Sequence, residues 1–156
     1  MSGKLIVSFI VMTALIAGIA MYYQQVYAIY AEIPEDQVDI RLTSVVTRAP
    51  EPIPIGNAAA IDGTSSPLRF RACFTIQRPM AALTEQFVIF DAPEPLIAPN
   101  WFDCFDAAAL GAALQSGQAI AFLGERNIQV GVDRVVAVFD DGRAYAWHQL
   151  NETFQD

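Results

Sequence analysis

Histidine, cysteine and lysine are nearly missing from this chain. Its 156 residues hold one histidine (His148), two cysteines (Cys73 and Cys104) and one lysine (Lys4). With a single histidine and no C-x-x-C, H-E-x-x-H or C-x-x-C-H spacing, the sequence has no ligand set for zinc and no haem attachment point. It also lacks a glycine-rich phosphate loop, so it carries no cofactor signature. Basic residues number 9 against 17 acidic ones, a formal charge of −8. Such a chain repels phosphate, which excludes nucleic acid as a partner. Charged residues make up 17%, below the roughly 25% of typical soluble domains. Disorder is excluded too, because 11% aromatic residues are too many for a solvated coil.

Charge is absent altogether from residues 5–23, where only Ser8 and Thr13 are polar before the tyrosines begin. At about 1.5 Å per residue a helix of this length covers ~28 Å, close to the ~30 Å hydrocarbon core of a bilayer. Lys4 precedes the run, and the first acids, Glu32, Glu35 and Asp36, follow it. This asymmetry places the N-terminus in the cytoplasm and residues beyond about 31 outside. Gly18-Ile19-Ala20 has the small residues of a signal-peptide cleavage site. The apolar run continues past it into Met21-Tyr22-Tyr23, however, which favours a retained anchor. Tyr22, Tyr23, Tyr27 and Tyr30 suit an interfacial aromatic belt. Ala14 and Gly18, with Ala17 beside them, form a small-residue stripe on which another helix could pack closely.

The expected organisation is a cytoplasmic N-terminus and transmembrane helix over residues 1–30, an acidic tether over 31–37 and one α+β domain over 38–156. That domain should contain an antiparallel sheet and one main helix. Alternation predicts strands over 38–46 and 68–77, the second with Leu68, Phe70, Ala72, Phe74 and Ile76 on one face and Arg69, Arg71 and Cys73 on the other. The Ala-Pro-Glu-Pro-Ile-Pro segment at 49–54 should interrupt regular structure. Residues 87–90 read as a third short strand. A helix should start at Asn100 as N-cap, with Asp103 in a capping-box position and Ser116-Gly117 at its end. Residues 119–123 and 128–132 read as strands joined by the polar turn at 124–127. Asp141-Gly142 predicts a two-residue hairpin loop between strands 135–140 and 143–150, setting Val138 opposite Tyr145, Val136 opposite Trp147 and Val135 opposite His148.

Few residues point to chemistry. His148 is the one candidate general base, but it sits on an apolar hairpin face with no Ser or Cys beside it, so a structural histidine is the expectation. Asp103 and Asp106 lie near the positive end of a helix dipole, which accounts for them without metal or catalysis. Asn151-Glu152-Thr153 fits a glycosylation sequon, and Trp101 and Trp147 read as core or rim packing. On these grounds the protein is not expected to be an enzyme. Cys73 and Cys104 both fall on the outer side, where an even count invites a disulfide; two buried free thiols are the alternative. Beyond residue 30 there are 17 acids against 8 basic residues, a formal −9. That charge should make the domain stand off an anionic membrane surface and could steer a basic soluble electron carrier toward it.

Several segments carry a resemblance: Met21-Tyr22-Tyr23 with Gln25-Val26-Tyr27, Phe70-Arg71-Ala72-Cys73-Phe74, Asn100-Trp101-Phe102-Asp103-Cys104-Phe105-Asp106, the run from Gly131 to Val138, and Tyr145-Ala146-Trp147-His148-Gln149. Together they resemble an uncharacterised family of single-pass membrane proteins from Rhodobacter-group alphaproteobacteria. Some of its members carry a histidine-kinase label, although no kinase motif occurs here. The resemblance implies an inner-membrane protein with a periplasmic domain and supplies no catalytic residue. The expected role is an accessory, non-catalytic subunit of a larger integral membrane complex, respiratory or photosynthetic. The runner-up is a periplasmic assembly or quality-control factor that binds membrane-protein clients transiently.

Overall fold

A computed structural model describes residues 3–154. The uncharged run forms one uninterrupted helix, α1 (Gly3–Val26), with no buried residue. Its length and composition are those of a membrane span. The chain then turns over Tyr27 to Ile29 into β1 (Ala31–Ile33), the edge strand of a six-stranded sheet. The segment expected as a tether is therefore part of the domain: β1 pairs with β4 (Gly56–Asp62), and Glu35 accepts a hydrogen bond from the Ala58 amide.

All neighbours in the sheet are antiparallel, in the order β1, β4, β5 (Arg71–Thr75), β8 (Arg143–Leu150), β7 (Val132–Phe139) and β6 (Ala119–Gln129). Alternate residues of a strand point to opposite faces, and both faces are apolar. Ala72, Phe74, Val136, Val138 and Ala146 enter one core, closed by Ile40, Leu42, Leu83 and Phe87. Val135, Ala137 and Trp147 enter the other, closed by Phe102, Phe105 and Leu110. The first cover is a ribbon of β2 (Arg41–Thr43) and β3 (Pro50–Pro52) with the short helix α2 (Met80–Gln86); the second is the segment leading into α3 (Ala107–Gln115). Pro50 and Pro52 do not interrupt structure as expected. They pair with Thr43 and Arg41 in a two-stranded ribbon, where an edge tolerates a missing donor.

Four further expectations change. The main helix starts at Ala107 rather than beside Asn100, because Asp106 is the N-cap and accepts from the Ala109 amide at 3.0 Å. Residues 124–127 are not a turn: β6 runs through them with register shifts, and the reversal falls at Val130-Gly131. Gly124 is there for close approach, since a Cβ would lie 2.9 Å from the Arg134 carbonyl oxygen. The terminal hairpin is one residue out of the expected register. Val138 faces Ala144, Ala137 faces Tyr145, Val136 faces Ala146 and Val135 faces Trp147. Its loop has three residues, Asp140 to Gly142, with Gly142 at φ +89° and its amide donating to the Phe139 carbonyl. This is a turn closed by a left-handed glycine. The one-residue slip moves Trp147 and Val135 together into one core. Residues 87–90 make two isolated bridges, Ser44 to Phe87 and Ile89 to Phe122, instead of a regular strand, and cover part of the free edge of β6.

Candidate functional site: the helix–domain junction and its flanking polar clusters

A helix ends with carbonyls that lack intrahelical partners. At the end of α1, Trp101 supplies one: its Nε1–H donates to the Val26 carbonyl at 2.8 Å. The indole also stacks on Tyr27 (centroids 6.1 Å apart) and meets Tyr30 edge-on at 6.1 Å. Tyr23 stacks on Tyr27 at 5.8 Å, and Tyr22 meets it edge-on at 6.4 Å. The Arg69 guanidinium lies 5.4 Å above the Tyr30 ring. At Gly63, a Cβ would come within 2.6 Å of the Ile29 carbonyl oxygen, so the loop preceding Arg69 is pressed against the same turn. Of the four tyrosines of the expected belt, Tyr27 and Tyr30 thus contact the tryptophan, and Tyr22 and Tyr23 pack on Tyr27. Ala14, Ala17 and Gly18 remain exposed on α1, and no described atom lies near a Cβ built at Gly18.

Cys73 on β5 and Cys104, just before α3, form a disulfide with Cα atoms 6.3 Å apart. The bond ties the cover carrying Trp101 and α3 to the middle of the sheet. Arg71, two residues earlier on the same face, reinforces that tie without any carboxylate partner. It is 3% exposed. Its guanidinium donates to the carbonyls of Leu96 (2.8 Å), Ile97 (3.1 Å), Leu68 (2.7 Å) and Phe70 (2.6 Å). Burial pulls its pKa down to about 10, so the group stays charged at neutral pH.

On the other face His148 is buried, with both ring nitrogens engaged. Nδ1 lies 2.6 Å from the Pro67 carbonyl oxygen, and Nε2 accepts from Arg134 Nε at 3.0 Å. A carbonyl only accepts and a guanidinium only donates, so the ring is the neutral Nδ1–H tautomer. Burial, reinforced by the positive charge of Arg134, holds its pKa down at about 4. Phe70 stacks on the imidazole at 4.8 Å and receives the Arg134 guanidinium at 4.1 Å from its ring centroid. Arg134 forms the floor of a cleft of about 470 Å³, walled by Asp39, Asp62, Glu125 and Arg41. Burial lowers the Arg134 pKa, opposed by those three carboxylates. The cleft is a polar, mixed-charge hollow. The imidazole behind it has no lone pair free to take a proton from a ligand.

A third polar cluster fastens the chain after β8. Asp133 Oδ1 accepts from the Asn127 amide (2.9 Å) and from Asn151 Nδ2 (2.7 Å), while Asn151 Oδ1 accepts from the Thr153 amide at 3.0 Å. The sequon asparagine is thus buried and its amide is spent on Asp133 and Asn127. No group of three or more His, Cys, Asp or Glu side chains is placed to hold a metal ion among the described residues. Of these features the cysteine pair, the tyrosines, the small-residue stripe, His148 and the sequon were singled out in the sequence. The roles of Trp101, Arg71 and Arg134 were not, because each has a hydrogen-bond partner 25 or more positions away.

The fold and junction define a class: a small α+β domain clasped to the end of a helix long and apolar enough to cross a membrane. Within it, the chain belongs to the family of unknown function DUF6446, which it matches over residues 40–156. The match contains Trp101, Arg71, both cysteines and His148, and begins after α1 and β1. No curated protein and no solved structure matches the chain.

Proposed function

We propose that the protein is a single-pass inner-membrane protein, with its N-terminus in the cytoplasm and its domain in the periplasm. There it acts as an accessory, non-catalytic subunit of a larger integral membrane complex. The observation that carries this reading is the clasp of Trp101 on the Val26 carbonyl and Tyr27. A receptor or carrier on a tether gains reach from a loose joint. A part that braces an assembly needs the opposite, a domain held at one angle to its helix. Two further features support it. The helix buries nothing against its own domain, leaving its whole circumference for lipid and partner helices. The disulfide suits an oxidising compartment, on the side opposite Lys4.

The test is gentle solubilisation and capture on a C-terminal tag, followed by quantification of what co-purifies. A fixed ratio to one mature complex supports a subunit. Substoichiometric recovery with immature forms assigns the protein to assembly instead. A deletion strain whose membrane complexes keep their abundance and activity would sink both readings. Trp101→Ala should lower co-purification of the complex while leaving the protein in the membrane.

A further inference from the structure

The domain is polarised along its strands. Register places Glu32, Ile61, Arg71, Trp147 and Val135 at one level across five strands. Toward the α1 side of that level, β7 and β8 run three residues further, to the pair Val132–Leu150. The β6–β7 hairpin therefore projects about 10 Å beyond it. Its tip adjoins the start of β1, since Gln129 lines a shared groove with Ala31, Gly63 and Ser65. The loop carrying Ile97 reaches the same end, held there by Arg71.

Three loops at this end carry no charge: residues 63–68, 95–102 and 127–132. They do carry apolar side chains in the open, with Val130 at 92% and Ile97 at 81% exposure. Arg126 and Glu152, which flank the hairpin, are paired with each other. The opposite end has Arg78 and the hairpin Asp140-Asp141-Gly142-Arg143. Two of the domain's three most exposed large apolar side chains thus lie in uncharged loops around the exit of an apolar helix and beside a tryptophan–tyrosine cluster, the third being Val46 in the β2–β3 hairpin.

We propose that this uncharged rim, formed by Val130, Ile97 and the Trp101 cluster, rests in the headgroup layer of the bilayer that α1 enters. The domain then lies against lipid instead of standing off it. The inference rests on α1 spanning the membrane, and the experiment separates the two.

Spin labels are placed singly through Val130→Cys, Ile97→Cys, Asp141→Cys and Leu15→Cys in the full chain. The native cysteines are bridged and do not react without reductant. In phosphatidylethanolamine–phosphatidylglycerol vesicles, power saturation compares collisions with oxygen and with a water-soluble nickel chelate. The oxygen-to-nickel ratio should be severalfold higher at 97 and 130 than at 141, and highest at 15. Quenching by brominated phospholipid needs no substitution and should remove the Trp101 emission while sparing buried Trp147. A ratio at 97 or 130 equal to that at 141, or Trp101 emission untouched, overturns the rim. With 15 still in lipid, the spanning helix survives that outcome; with 15 in water, both readings fall.

Discussion

Acidification should destabilise this protein through one residue. His148 is neutral in the fold, donating from Nδ1 to Pro67 and accepting on Nε2 from Arg134. Protonating Nε2 would set an N–H against the N–H of a guanidinium, in a site that is 4% exposed. The unfolded chain pays no such penalty and takes up its proton near the ordinary value of 6.5. The folded pKa is the depressed one, so stability is unaffected above pH 6.5, falls as pH drops, and levels off below about 4. At about 1.4 kcal/mol per tenfold change in proton affinity, the full loss is about 3 kcal/mol. The assay is denaturant unfolding of the full chain in micelles between pH 7 and pH 4, for the native protein and for His148→Gln. Glutamine does not titrate, and both proteins share the same carboxylates, so the difference between the two curves isolates the imidazole. The native protein should lose about 3 kcal/mol more than the variant over that interval. Parallel curves would refute the argument, as would an imidazole resonance titrating between pH 6 and 7.

Arg71→Met removes the donors from four carbonyls and should cost about 3 kcal/mol, read as a lowered denaturant midpoint. Lysine should recover only part of this, because one ammonium cannot span Leu68 and Ile97 together, and an unchanged midpoint for Arg71→Met would show that the carbonyls find other partners. Reducing the Cys73–Cys104 bond releases a separation of 31 residues. The loss should be roughly 3–4 kcal/mol, on the order of 10 °C in Tm, and a Cys73→Ser/Cys104→Ser variant should unfold at the same temperature with or without reductant. Two glycine-to-alanine changes should differ in sign. Gly142→Ala meets both a left-handed backbone and the Ile76 carbonyl oxygen at 2.7 Å, and should lose at least about 1–2 kcal/mol. Gly111→Ala, inside α3 with nothing within 4 Å, should gain up to about 1 kcal/mol; equal effects at the two sites would contradict the hairpin loop described above.

Local physics made part of this molecule legible in advance. In lipid, a charge-free run long enough to cross a bilayer is helical, because its backbone groups must pair with one another. The alternation in residues 68–77 placed Phe70, Ala72, Phe74 and Ile76 in one core because successive side chains of a strand must diverge. The pair of cysteines was likewise open to reading, as their number and predicted side of the membrane were known without a fold. Other features depended on contacts between distant residues. Asp141-Gly142 marked a hairpin but not its register, which the left-handed Gly142 and the packing of Val135 against Trp147 decided. Gly124 looked like a turn until the Arg134 carbonyl occupied the space beside it. The acidic stretch at 31–37 read as a solvated tether because its charges are local, whereas the β4 edge that receives it lies some 25 residues away. Trp101, Arg71 and His148 acquired their roles in the same way. Sequence alone determined the long apolar helix, the α+β class and the candidate bridge; the tertiary structure decided where the domain is clasped and which buried polar groups are satisfied, because those hydrogen bonds exist only once remote segments meet.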